Sequence, residues 1–178
     1  MKKAILSLLT IGALTYGASA QINSPITKIS AGADLAIPTG DLALVSGLGF
    51  GGSVQGEFNL AKSLNLTGSV GYLSFGYKKE FKALFEQAGI DMGNVGAFPV
   101  KAGGKYYFGK VFYGAGELGA SFSTAKGSAT AFVYAPGVGV NFLLENKNSI
   151  DLGVRYESWS NEGASSFLGF RAAFAFGL

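Results

Sequence analysis

Apolar and polar residues alternate with a period of two along much of the chain. The clearest case is the C-terminal stretch, where every even-numbered residue from Leu168 to Leu178 is apolar and Arg171 lies on the opposite face. Alternation with one wholly apolar face is typical of a β-strand. Equivalent stretches predict eight strands, at about residues 28–38, 47–60, 64–75, 96–108, 112–123, 130–143, 149–159 and 166–178.

The connections between the predicted strands alternate in length. An even number of antiparallel strands, with short turns at one end and longer loops at the other, is typical of an up-and-down membrane barrel, and eight strands form the smallest member of this class. If both termini are periplasmic, the short turns face the periplasm and the loops face outward. Short turns are predicted at 61–63, 109–111 and 144–148, and longer or more irregular connections at 39–46, 76–95, 124–129 and 160–165.

The composition favours a membrane barrel over a helical membrane protein. The chain is 48% hydrophobic, with 15 Phe and 8 Tyr, yet after Gln21 no apolar run reaches the ~18 residues that indicate a membrane helix. A closed sheet is the remaining way to place so many apolar residues in lipid, because it pairs every backbone group. We therefore predict an all-β fold: an eight-stranded antiparallel up-and-down transmembrane β-barrel over residues 21–178.

The N-terminus has the pattern of a secretory signal peptide. A lysine pair at 2–3 precedes an apolar stretch at 4–14, and the motif Ala-Ser-Ala at 18–20 has the form of a cleavage site. We expect residues 1–20 to be removed, so that the mature chain begins at Gln21. The alternative, an N-terminal membrane helix, is disfavoured because the apolar run is shorter than the ~20 residues that span lipid.

Charged residues in the predicted strands fall on the face opposite the apolar one, which is the inside of a barrel. Side chains fill the interior of so narrow a barrel, and a charge out of bulk water is strongly disfavoured unless it is paired. We therefore predict a structural network of salt bridges and hydrogen bonds, completed by Gln55, Asn141 and Tyr113, rather than an ion pathway. Its charged members are Asp34, Glu57, Glu117, Asp151, Glu157, Lys28, Lys101, Lys105, Arg155 and Arg171.

The Gly-Lys-Val turn between the fourth and fifth strands predicts the register of that hairpin. A turn of three residues sets Gly104 opposite Gly116 on the outer face. Inside the barrel, Lys101 and Lys105 then become the diagonal neighbours of Glu117, within reach of a long side chain.

Aromatic residues near the strand ends predict two belts at the membrane interfaces. A soluble ligand-binding barrel would instead point such residues inward, where this chain has its charges. The predicted members are Phe58, Tyr106, Phe108, Phe112, Phe142 and Phe176 on the periplasmic side, and Tyr72, Phe122, Phe132, Tyr134 and Tyr156 on the other.

The longest loop carries a first candidate partner surface. Phe81, Leu84, Phe85 and Ala88 follow a helical spacing that Gly89 ends, which predicts a short amphipathic helix. Its apolar stripe either packs over the barrel mouth or offers a surface to a partner or to lipid headgroups.

Small residues on the outer face of the fourth and fifth strands are a second candidate partner surface. They are Ala102, Gly104, Gly114 and Gly116. Glycines at such positions either relieve crowding where a small barrel curves sharply, or leave a smooth patch that another membrane protein can approach, as small residues do between helices.

The absence of histidine bears on catalysis. Without it, a Ser–His pair, an Asp–His pair and a His-ligated metal site are all unavailable. A carboxylate pair or a Ser–Lys dyad stays open in principle, with Glu117 and Lys105 as the nearest candidates. We expect no enzymatic activity, no metal site and no cofactor.

The charge balance argues against a nucleic-acid partner. The chain has 14 basic and 11 acidic residues, and two of the basic ones, Lys2 and Lys3, belong to the predicted signal. The remainder is close to neutral, so no basic footprint for phosphates remains.

Three stretches have counterparts in known proteins: GADLAIPTGD at 32–41, FPVK to KYYF at 98–108, and DLGVRYE at 151–157. They resemble the outer-membrane β-barrel domain family of small porin-like proteins and, more distantly, the OmpA-like transmembrane barrel. The resemblance implies the barrel fold and an outer-membrane location, and little about the task. Such barrels usually end on an aromatic residue that the assembly machinery reads, whereas this chain ends on Leu178, with Phe176 two places earlier.

Two functions follow as expectations. The first is a structural or interaction role in the outer membrane, such as envelope integrity, display of surface loops or membership of a larger assembly, with the lumen plugged by charged side chains. The second is a narrow porin-like channel for small solutes. The expected partners are outer-membrane lipid and lipopolysaccharide, the assembly machinery during biogenesis and, as a further candidate, another membrane protein.

Overall fold

Eight antiparallel strands close into one barrel in the computed structural model, which describes residues 27–78, 82, 93–125, 129–161 and 163–178. Each strand pairs with its neighbours in sequence, and the last pairs with the first. In chain order the elements are β1 (Lys28–Thr39), the helical turn α1 (Leu42–Val45), β2 (Ser46–Ala61), β3 (Leu64–Tyr77), β4 (Val95–Tyr107), β5 (Phe112–Ser123), β6 (Ala131–Leu143), a 3-10 turn (Glu145–Lys147), β7 (Ser149–Ser160) and β8 (Ala164–Gly177).

The barrel closes through β1 and β8. Their pairing runs without interruption from Lys28 opposite Gly177 to Thr39 opposite Ser166. Closure leaves no open sheet edge, the condition for a sheet to lie in lipid with its backbone groups paired. The predicted eight-stranded up-and-down barrel is thus confirmed.

Two predictions fall outside the part of the chain that the structure describes. They are the signal peptide, residues 1–20, and the amphipathic stripe of Phe81, Leu84 and Phe85. Among the described residues, no helix combines the length and the apolar character needed to cross a bilayer.

Successive connections lie alternately at the two ends of the barrel. The end with the connections 62–63, 108–111 and 144–148 is called the turn end, and the opposite end, with α1, is called the loop end. One predicted loop is wrong, because only residues 161–163 separate β7 from β8. The ladder continues here through the small side chains Ser160, Ala164 and Ser165, which show no apolar alternation: Ser160 lies opposite Ala164, and Ser165 lies opposite Trp159.

The β4–β5 hairpin has the predicted register. Gly104 lies opposite Gly116, and Glu117 lies opposite Gly103 with its side chain inside the barrel. In the turn, Gly109 has a φ of 121°, a left-handed conformation that glycine adopts without steric cost. Turn length therefore sets which residues of this hairpin face the lumen.

The outer surface is apolar around the whole barrel. Phe50 on β2, Leu118 on β5 and Val138 on β6 are examples, each about 60% exposed at 61%, 58% and 60%. Side chains of this kind are stable on the outside only when lipid covers them. The predicted belt residues are all exposed on this surface, namely Phe58, Tyr72, Tyr106, Phe108, Phe112, Phe122, Phe132, Tyr134, Phe142, Tyr156 and Phe176.

Candidate functional site

Lys105 is the centre of a buried cluster in the turn-end half of the lumen. Its Nζ lies 2.6 Å from Glu57 Oε1 and 3.0 Å from Asp151 Oδ2, so that it joins strands on opposite sides of the barrel. The Tyr107 hydroxyl donates to Glu57 Oε2 at 3.1 Å. The Tyr113 hydroxyl donates to Asp151 Oδ1 at 2.8 Å, and the Tyr113 ring lies 4.3 Å from Lys105 Nζ. Both carboxylates are therefore ion-paired and hydrogen-bonded.

A second cluster lies closer to the loop end. Lys101 Nζ lies 3.2 Å from Glu117 Oε2 and 2.8 Å from Glu157 Oε2. The guanidinium of Arg155 bridges two acids, with Nε 2.7 Å from Glu157 Oε2 and Nη1 2.9 Å from Asp34 Oδ1. Charges at these distances attract strongly away from bulk water, and each would be costly to bury alone.

Gln55 connects the two clusters. Its Oε1 accepts a hydrogen bond from Lys105 Nζ at 3.3 Å, and its Nε2 donates to Glu117 Oε1 at 3.0 Å. Arg171 extends the first cluster, the one around Lys105, since its Nη1 lies 3.7 Å from Asp151 Oδ1. The result is one continuous polar network, called the charge network below. It contains Asp34, Glu57, Lys101, Lys105, Glu117, Asp151, Arg155, Glu157 and Arg171.

Lys28 lies at the edge of this network, near the turn end. Its Nζ donates to Asn141 Oδ1 at 3.1 Å and lies 5.8 Å from the centre of the Tyr107 ring. The Asn141 amide in turn donates to Ser149 Oγ at 3.1 Å. The structure thus places Lys28 with the other predicted lumen residues, bonded to an amide rather than to a carboxylate.

One predicted contact is wrong: Lys105 does not pair with Glu117. Lys101 takes that partner, and Lys105 reaches across the lumen to Glu57 and Asp151. The barrel is narrow enough for a lysine to span it, so partners on non-adjacent strands compete with the diagonal neighbour. Glu117 and Lys105, the candidates for a carboxylate pair or a Ser–Lys dyad, therefore lie in separate clusters.

The side chains of the charge network leave little space between them. Two cavities within it measure about 30 and 50 Å³, enough for isolated water molecules. Inward-facing glycines provide the space for the large side chains. A Cβ at Gly139 would meet the Tyr113 hydroxyl, and a Cβ at Gly169 would lie 3.2 Å from Arg155 Cγ.

Within the described residues, no three His, Cys, Asp or Glu side chains are arranged to hold a metal ion. The carboxylates of the charge network are instead directed at lysine, arginine, amide and hydroxyl groups. The acidic and basic side chains thus neutralise one another inside a packed lumen.

Above the charge network, toward the loop end, the lumen is apolar, which the sequence interpretation missed. Phe75, Trp159 and Phe167 pack edge to face with ring centroids 5.3–5.9 Å apart, and we call these three rings the aromatic plug. Trp159 Nε1 donates to Glu157 Oε1 at 2.7 Å and so joins the plug to the charge network. The alternation of residues along β7 indicated that Trp159 faces the lumen, because Trp159 and Glu157 share a strand face.

The small-residue patch forms part of a shallow groove on the outer face. Gly104, Gly114 and Gly116 line it together with Pro136 and Val138, and its volume is about 730 Å³. These three glycines belong to the predicted patch and lie together on adjacent strands, whereas its fourth member, Ala102, does not line the groove. The loop residues Phe81, Leu84 and Phe85 lie outside the described residues, so their relation to any surface stays a prediction.

No protein-family model and no curated protein matches this chain. Solved structures do match it. The Neisserial surface protein A has 16% sequence identity and a TM-score of 0.59, over 85% of this chain and 96% of that one. Ail, the attachment invasion locus protein of Yersinia pestis, has 16% identity and a TM-score of 0.57, over 84% and 97%. The same protein in a phospholipid bilayer nanodisc has 19% identity and a TM-score of 0.56, over 86% and 100%.

Identities this low carry information about the fold alone. The likeness nevertheless covers nearly the full length of each solved barrel and most of this chain. Together with the closed strand order and the apolar outer surface, it shows that this chain has the fold of the small eight-stranded outer-membrane β-barrels.

Proposed function

We propose that the protein is a small integral outer-membrane β-barrel with a closed lumen and a structural or interaction role. That role includes envelope integrity, display of surface loops or membership of a larger outer-membrane assembly. The predicted signal at residues 1–20, the apolar outer surface and the fold shared with a barrel seen in a phospholipid bilayer support the location. The mature barrel then spans residues 21–178.

The observation that carries the closed lumen is the charge network, which crosses the interior in two layers. Lys105 ties β2 to β7, and Lys101 ties β5 to β7. A permeating ion would have to displace pairs held at 2.6–3.2 Å, and two cavities among these side chains measure only about 30 and 50 Å³. The aromatic plug adds an apolar barrier above them.

Planar-bilayer recording on the refolded protein tests the closed lumen. We expect no steady, ion-sized conductance steps at moderate voltage, because opening a path requires breaking buried ion pairs. The Glu117→Gln and Arg155→Ala variants probe the lumen, and Lys110→Gln in the exposed β4–β5 turn is the matched control.

Steady conductance steps in the unmodified protein would contradict this proposal, above all if Glu117→Gln or Arg155→Ala changed their size or ion selectivity while Lys110→Gln did not. That result would favour the alternative function, a narrow porin-like channel for small solutes. The charge network would then line a selectivity region.

The interaction role predicts a neighbour at the outer groove defined by Gly104, Gly114 and Gly116. A photo-crosslinking amino acid at Val138, on the groove and 60% exposed, is expected to capture one discrete membrane protein in intact envelopes. The same amino acid at Val54, which is 46% exposed on β2, is the control and is expected to label lipid only.

Equal labelling patterns from Val138 and Val54 would remove the groove as a partner surface. The proposed role would then reduce to envelope integrity and loop display, because no other described surface was predicted for a partner. Lipid adducts alone at both positions would give the same answer.

A further inference from the structure

A cup opens above the aromatic plug at the loop end. Its volume is about 280 Å³, and apolar side chains from five elements form most of its wall. Phe75 and Trp159 belong to the plug beneath it, while Leu42 and Val45 project from α1 at its rim. An apolar concavity of this kind, at the mouth of a barrel, is a common place for a small ligand.

One polar group in this wall has no partner. Ser121 on β5 is 3% exposed, and its hydroxyl makes no hydrogen bond to any atom of the described residues. A buried hydroxyl normally has a partner, because leaving it without one is unfavourable. Ser123, the next inward residue on the strand, already accepts a hydrogen bond from the Ala125 N–H at 3.2 Å. Ser121 Oγ thus has no hydrogen-bond partner among the described residues, and since almost none of its surface is accessible, a ligand in the cup would contact it only after a rotation of the Ser121 side chain.

The volume limits what can fit. An engineered apolar cavity of about 150 Å³ holds benzene, so the cup has room for on the order of ten non-hydrogen atoms. The Trp159 N–H is bonded to Glu157 and unavailable. Ser46, Ser123, Ser165 and Tyr77 also line the wall, and Ser121 differs from them as the buried hydroxyl of the described residues that has no partner.

We propose that this cup binds a compact, largely apolar ring molecule that carries one hydroxyl or carbonyl group, with the Ser121 hydroxyl as its hydrogen-bond partner. The site is separate from the charge network and lies on the far side of the aromatic plug. It goes beyond the structural role proposed above, and it is compatible with a closed lumen.

Trp159 makes binding measurable, because it is the single tryptophan of the chain and lies in the wall of the cup. The probes are 1-adamantanol and 1-methyladamantane, which differ in one hydroxyl group and do not absorb where tryptophan does. With the full chain in phospholipid vesicles, we expect a saturable shift of Trp159 emission, and tighter binding of the alcohol.

Two variants separate the contributions of hydrogen bonding and shape. Ser121→Ala is expected to weaken binding of 1-adamantanol roughly fivefold, the value of one net hydrogen bond, and to leave 1-methyladamantane unchanged. Ala131→Leu, at the position paired with Ser121, is expected to fill the cup and abolish saturable binding of both probes. Ser149→Ala, a buried serine at the turn end, is the control and is expected to bind as the unmodified protein does.

Three results would overturn the proposal. A response that never saturates, or that persists in Ala131→Leu, would mean partition into lipid. Equal affinity for the two probes would mean that Ser121 contributes nothing. Absence of any emission shift in the unmodified protein would mean that the cup is already filled by the chain itself.

Discussion

Replacement of Lys105 by methionine is expected to lower the free energy of unfolding by about 3–5 kcal/mol, the range typical of a buried ion pair that loses one partner. Lys105 Nζ lies 2.6 Å from Glu57 Oε1 and 3.0 Å from Asp151 Oδ2, and all three side chains are buried. Methionine retains the approximate length and volume without the charge, so that Glu57 loses its cation and Asp151 keeps only Arg171, at 3.7 Å. Urea titration in phospholipid vesicles, followed by Trp159 fluorescence, measures the loss.

The control for this substitution is Lys110→Met in the exposed β4–β5 turn, which is expected to change stability by no more than about 0.5 kcal/mol. Adding Glu57→Gln to Lys105→Met is expected to restore part of the loss, because Glu57 is then neutral and Asp151 keeps Arg171 as its cation. A loss for Lys105→Met no larger than that for Lys110→Met would show that the two carboxylates do not depend on this lysine.

Truncation of Phe167 to alanine is expected to cost about 3–5 kcal/mol of the free energy of unfolding, since it removes a fully buried ring and leaves a cavity. The Phe167 side chain has 0% exposure, and its ring centroid lies 5.5 Å from that of Phe75 and 5.3 Å from that of Trp159. These neighbours rest on β-strands and cannot collapse into the space. The same urea titration measures the effect.

Phe170→Ala provides the matched control, because Phe170 lies on the same strand and faces outward with 38% exposure. Lipid chains are about as apolar as the removed ring and can occupy its place, so this variant is expected to lose less than half as much stability as Phe167→Ala. Equal losses from the two substitutions would contradict a packed aromatic plug inside the barrel.

The strands and their faces could be predicted because a closed membrane sheet enforces a period of two over its whole width. Every even residue of Leu168–Leu178 is apolar since each lies on the outer face, and Arg171 is placed inside by the same rule. The β4–β5 register followed from a turn of known length. Features that depend on one strand or one hairpin, namely the face that each side chain takes and the register of β4 with β5, could therefore be predicted from the sequence.

The partners of Lys105 were inaccessible because they lie on strands that are distant in sequence. Glu57 on β2 and Asp151 on β7 meet Lys105 only through the closure and stagger of the whole barrel. Local spacing offers only the diagonal neighbour, Glu117. In a narrow lumen, the diagonal neighbour on the adjacent strand competes with charged groups on non-adjacent strands. The pairing of adjacent strands does not predict those groups.

The aromatic plug was missed for a different reason. Residue type does not separate a phenylalanine that faces lipid from one packed inside, because both environments are apolar. The face does separate them: Phe167 has the parity of Arg171, whereas Phe170 has that of Leu168. Extending the charged face of each strand to the loop end would have placed these rings inside.

The way in which the charge network is distributed over the strands has a consequence for assembly. Asp34, Lys101 and Arg171 come from the first, fourth and last strands, and Lys105 on the fourth strand has its carboxylates on the second and the seventh, so the charge network is complete only in the closed barrel. A partly formed sheet would carry unpaired charges into the bilayer, at high energetic cost. Insertion into lipid and pairing of β1 with β8 therefore become one coupled event, and the energetic barrier to entering the membrane protects the chain from inserting before its last strand is in place.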